Sequence, residues 1–170
     1  MKRLLFIILA SVIGAFAFSQ EAENAVSENV SEKPVEKREV RAGLQMGTNM
    51  EQSDGYTFVL GLFADTAIVP DVLLIGSQMD WTFSHSGYTA NPSFYLQWLM
   101  PLHVGNVMTP YLKGNLGMFT LHENNQTTDG LLAGLEAGLS FKFNKFYLEP
   151  GFQFGYPYMW GAVVRAGLAF

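Results

Sequence analysis

The stretch from Asp129 to Phe143, DGLLAGLEAGLSFKF, repeats with a period of two, and few folds can accommodate it. Leu131, Ala133, Leu135, Ala137, Leu139, Phe141 and Phe143 share one face. Leu132, Gly134, Glu136, Gly138, Ser140 and Lys142 share the other. Successive side chains of a strand project to opposite faces, so this segment has one apolar wall and one polar, glycine-rich wall. Glu136 and Lys142 fall on the same wall without any choice of phase.

Seven further segments can be phased in the same way. The first strand is expected from Val40 to Asn49, the second from Tyr56 to Asp65, the third from Val72 to Phe83 and the fourth from Pro92 to Met100. The fifth runs from Met108 to Thr120, the sixth is the segment above, the seventh spans Phe146 to Tyr156 and the eighth Trp160 to Phe170. Such lengths suit strands that cross a bilayer at a tilt, which takes roughly 9–11 residues. An even number of strands, apolar outside and polar inside, predicts an all-β fold: an eight-stranded antiparallel up-and-down transmembrane β-barrel. A soluble lipocalin-like barrel is the opposing fold and would place the apolar face inward.

Outward aromatics cluster toward strand ends. Tyr56, Trp81, Phe83, Phe94, Tyr156 and Trp160 are expected at one water boundary, and Trp98, Phe141, Phe143, Phe146 and Phe170 at the other. The longer, more polar connections, such as Ser84 to Asn91 and Leu121 to Gly130, are assigned to the outer side. Pro150 falls inside the seventh strand, where it cannot donate to a ladder, so a bulge or an interruption is expected there.

The N-terminus has a different character. Lys2 and Arg3 precede an apolar run from Leu4 to Phe18, and Ala17-Phe18-Ser19 offers a cleavage site, so residues 1–19 are read as a signal peptide. Residues 20–39 hold six glutamates and no aromatic, and are read as a disordered polar periplasmic leader ahead of the barrel at 40–170. The chain has no cysteine, which excludes disulfides, thiolate metal sites and a lipoprotein anchor. A net charge of −5 leaves no basic footprint for nucleic acid.

The phasing sends Arg41, Lys113, Lys142 and Arg165 inward together with Asp65, Asp80, Glu136 and Glu149. A charge on the lipid face at mid-membrane costs roughly 2–4 kcal/mol, so inward is strongly preferred. Eight strands enclose a lumen only wide enough for side chains, so this network is expected to form a polar plug rather than a pore. No catalytic residue, metal site or cofactor is expected. His85, His103 and His122 lack ligand spacing, and Ser84-His85-Ser86 does not set serine beside histidine, since adjacent strand residues point to opposite faces.

Residues 40–170 resemble the small outer-membrane β-barrel family of OmpA/OmpX-like proteins. The resemblance is carried by Met100-Pro101-Leu102, by Thr109-Pro110-Tyr111-Leu112-Lys113-Gly114 and by the ending Val163-Val164-Arg165-Ala166-Gly167-Leu168-Ala169-Phe170. It implies export to the bacterial outer membrane, contact with its lipid, and a C-terminal assembly signal in Val164, Ala166, Gly167, Leu168 and Phe170. That signal would be read by the barrel-assembly machinery, with periplasmic chaperones en route, and a monomer is expected. The family includes tethers, adhesins, channels and lipid-modifying enzymes. A non-enzymatic structural or surface-interaction role is the first expectation, a narrow channel for small or apolar solutes the second, and a surface lipid hydrolase the third.

Overall fold

A computed structural model describes residues 39–51, 55–85, 87–102, 107–123 and 126–170. The signal peptide and all of the leader except Glu39 lie outside the described residues, as does His103. Eight strands follow one another: β1 (Val40–Glu51), β2 (Gly55–Val69), β3 (Leu73–Phe83), β4 (Gly87–Leu99), β5 (Met108–Glu123), β6 (Gln126–Phe143), β7 (Phe146–Tyr156) and β8 (Trp160–Ala169). Each pairs antiparallel with its sequence neighbour, and β8 pairs with β1 to close the cylinder. Both ends of the barrel segment lie at one rim, where Phe170 N donates to Val40 O at 2.9 Å. This rim is termed the terminal end and the opposite one the distal end.

The closure is staggered. Paired residues lead from Thr127 through His122, Tyr88, Phe83, Phe58, Thr48, Ala162 and Phe152 back to β6 at Ala137, ten residues along. For eight strands that stagger corresponds to a tilt of about 40°, within the range of closed barrels.

Burial settles which face looks outward. Phe94 and Leu131 are three-quarters exposed, whereas Lys113, Glu149 and Arg165 have no exposure at all. The apolar face is therefore the exterior and the charges line the lumen, the reverse of a lipocalin-like barrel. All eight strands keep the in–out phase read from the sequence. The fold class is an all-β, closed, antiparallel barrel of the outer-membrane type.

Three expectations need correction. First, the distal connections are short: only three residues separate β1 from β2, three separate β3 from β4, and two separate β5 from β6. The longest connection, eight residues from 100 to 107, is at the terminal end. Leu121, Thr127 and Thr128 read as loop, but threonine also suits strands, and here Thr127 and Thr128 pair with His122 and Leu121 across the β5–β6 hairpin. Second, β4 begins at Gly87, so Phe94 lies mid-strand opposite Ser77, away from either boundary; Tyr88 takes the distal place, opposite Phe83. Third, β7 is continuous through Pro150 and carries no bulge. Its ladder with β6 passes from Gly138↔Gly151 to Phe141↔Leu148 without a change of register, and its ladder with β8 continues through Pro150↔Val164. The proline is accommodated by two missing rungs. Gly138 permits the close approach there, since a Cβ on it would stand 2.2 Å from Pro150 O.

The turn between β6 and β7 is the two-residue Asn144-Lys145, with Asn144 at φ 58°, a left-handed conformation that asparagine tolerates well.

Candidate functional site

Inward alternation on every strand brings ionisable side chains together in the lumen, and they form one continuous chain. Near the terminal end, Arg41 Nε and Nη2 donate to the two Asp65 carboxylate oxygens at 2.7 and 2.8 Å, a bidentate pair. Tyr95 also donates to Asp65, at 2.7 Å. The third Arg41 bond, from Nη1, reaches Glu149 at 3.0 Å, and the guanidinium lies 4.5 Å from the centre of the Tyr147 ring. Glu149 further accepts from Ser140 at 2.8 Å and Gln97 at 3.1 Å.

Arg165 is the hub. Its Nη2 pairs with Glu149 at 2.9 Å and Glu136 at 3.5 Å, and donates to Gln97 at 2.8 Å. Phe63, Tyr95 and Tyr111 surround its guanidinium, with ring centres 5.3–5.6 Å away. Glu136 accepts from Tyr111 at 2.5 Å and pairs with Lys113. Lys113 donates to Gln78 at 3.1 Å, and Gln78 donates onward to Asp80 at 2.7 Å. The run Asp65–Arg41–Glu149–Arg165–Glu136–Lys113 alternates in sign, and Asp80 joins only through a neutral amide. Together with Gln97 it engages side chains from all eight strands.

Of the eight charges assigned to the interior, Lys142 is the correction. Its side chain is about half exposed and pairs with Glu39 at 2.6 Å. The inward phase of Lys142 holds, since it faces Tyr147 across the ladder, but it stands one residue from the end of β6. There a lysine reaches water instead of the network. Glu39, read as the last leader residue, is part of the barrel rim: its carbonyl accepts from Ala67 N and Thr66 Oγ1, both at 3.3 Å.

Sequence reasoning placed the neutral relays inside the barrel but not their connections. Gln78 and Gln97 have inward parity, which signals burial, but nothing in the sequence says which charges they connect. It also missed Tyr158, in the β7–β8 turn, whose side chain folds back over Gly134 beside Asn115. Burial pushes the Tyr158 hydroxyl up to about 12, so it remains a donor at any physiological pH.

Outside the lumen, Ser84 Oγ accepts from Gly87 N at 3.2 Å within the β3–β4 turn. His122 stacks on Tyr88 with ring centres 4.8 Å apart and meets Thr127 Oγ1 at 3.2 Å. The C-terminal residues Val164, Leu168 and Phe170 are exposed on the outer face, Ala166 is half-buried there, and Gly167 is inward.

No family model and no curated protein matches the chain. In structure it is similar to the N-terminal β-barrel domain of Pseudomonas aeruginosa OprF, with a TM-score of 0.57 and 13% identity over 78% of this chain and 97% of that one. It is similar to Neisserial surface protein A, NspA, with a TM-score of 0.57 and 13% identity over 78% of this chain and 95% of that one. At such identities the likeness concerns the fold.

Proposed function

We propose that the chain is a bacterial outer-membrane protein with a closed polar interior, acting as a structural or surface-interaction protein through its distal rim. The observation that carries this reading is the lumen network, in which Lys113, Glu149 and Arg165 are wholly buried and every strand is cross-linked. The exterior supports a lipid environment: its large exposed hydrophobic side chains include Leu, Val, Ile, Met and Phe on every strand's outer face, with aromatics such as Tyr56 and Trp160 in edge contact near the distal end. A signal-like N-terminus and the shared rim of Val40 and Phe170 support a reading in which the terminal end faces the periplasm. The exposed Phe170 ring and the outward Val164 and Leu168 suit recognition by the assembly machinery, with chaperones before it.

Stagger supplies the contact surface. On β6, Gln126–Leu132 pair only with β5, because β7 ends at Tyr156 opposite Ala133. A hairpin therefore stands above the distal rim with one main-chain edge open among the described residues, and such an edge offers a row of donors and acceptors to a partner. No enzymatic activity is assigned, since the Ser84 hydroxyl is engaged by the Gly87 backbone. A narrow channel is the second reading, favoured by distal lumen oxygens on Asn91, Ser93 and Asn115 that make no hydrogen bond to protein.

Planar-bilayer recording tests the closed interior. The protein should give no steady conductance. Steady openings that Arg165→Ala or Glu136→Ala abolishes would instead establish a conducting lumen.

A further inference from the structure

With Lys142 at the rim, the buried lumen holds four carboxylates, Asp65, Asp80, Glu136 and Glu149, against three cations, Arg41, Lys113 and Arg165. Asp80 is the carboxylate with no cationic group within 4.0 Å among the described residues. Its Oδ2 accepts from Gln78, while its Oδ1 is buried and makes no hydrogen bond to protein.

The backbone shows where that oxygen looks. Gly61 on β2 is paired with Asp80 on β3 at one side and with Gln45 on β1 at the other. Asp80 Oδ1 lies directly over Gly61, 2.0 Å from where a Cβ would stand. Gln45 has no exposure, and neither its amide oxygen nor its amide nitrogen is hydrogen-bonded to protein. Two strand spacings, about 9–10 Å, separate the Asp80 and Gln45 backbones, with no side chain on the strand between them. A carboxylate oxygen and an amide oxygen, both buried and without a protein partner, thus belong to the two residues that flank Gly61, in a lumen one positive charge short.

We infer that one sodium-sized monovalent cation sits beside the Asp80 carboxylate on its Gln45 side, bound by Asp80 Oδ1 and Gln45 Oε1. Hard oxygen donors select a hard cation, and a single charge balances the lumen where a divalent ion would overshoot. Asp80 is three residues from the distal end of β3, so the ion enters from that side. The ion completes the polar core of the proposed plug, but its binding and the conductance of the lumen are read separately.

The test is the thermal unfolding midpoint of the folded full barrel in detergent, at fixed pH and ionic strength, with sodium chloride exchanged for choline chloride. Binding to the folded state alone raises its stability, so the midpoint should climb by several degrees in sodium and level off on saturation. Asp80→Asn should abolish that response, and Gln45→Leu, a variant with the ion-pair network intact, should shift it to several-fold higher sodium. An equal midpoint in sodium and choline overturns the inference. So does a sodium response that survives Asp80→Asn, or full recovery of the choline midpoint on acidification, which would mean that a proton supplies the charge. Should Asp80→Asn fail to fold, an unchanged sodium response in Gln45→Leu overturns it equally.

Discussion

The terminal half of the lumen and its distal half solve the same problem differently. Toward the terminal end charge meets charge: Arg41 grips Asp65 with two bonds, and Arg165 sits between Glu149 and Glu136 inside a ring of aromatics. Toward the distal end the lining is mostly neutral, and Asp80, Asn91, Ser93 and Asn115 each keep a buried oxygen without a protein partner. Ion pairs in a dry interior are unforgiving, because removal of one partner strands the other. Neutral oxygens can be satisfied by water or an ion and tolerate change. The contrast predicts a rigid terminal half and a permissive distal half.

Arg165→Met should have the largest effect. It leaves Glu136 and Glu149 short of a buried partner and should cost about 3–5 kcal/mol in the urea unfolding free energy, followed by gel mobility of the folded form. A loss no greater than that of a distal exchange would erase the distinction. Next, Leu135→Lys places a charge on the outer wall one residue from Glu136, and should cost roughly 2–4 kcal/mol in a lipid bilayer. The same measurement in water-rich, short-chain detergent should shrink that cost, whereas the Arg165→Met cost should persist.

Asp80→Asn should change stability by less than about 1 kcal/mol in sodium-free buffer, since it breaks no ion pair and keeps an acceptor for Gln78. Smallest of all, Lys142→Ala severs a half-exposed pair with Glu39 and should shift the urea midpoint by an amount worth under about 0.5 kcal/mol. A Lys142 effect rivalling that of Arg165 would mean that the rim belongs to the network after all.

Period-two alternation made the barrel legible in the sequence, because a lipid exterior tolerates no misplaced charge. β7, from Phe146 to Tyr156, agrees end for end with the expectation. Legibility failed where that constraint lapses. Beyond the bilayer both faces of a strand meet water, so Gln126 to Thr128 carry no apolar face to announce a strand, yet they pair with β5. Phe94 was misplaced for the same reason: the distal start of β4 was hidden in a polar run. Inward parity identified the network's members but not its wiring, because wiring depends on the stagger between strands and on side-chain reach. Lys142 shows this at the rim, and Gly61 shows it inside, where an absent side chain leaves room for the Asp80 carboxylate.

Arginine does not lose its proton at any acidity or alkalinity a bacterium encounters. With Arg165 enclosed by Phe63, Tyr95 and Tyr111 and tied to two glutamates, the bolt across this cylinder has no chemical key. Whatever passes through must wait for side chains to swing aside; no drift in ambient pH will unlock Arg165.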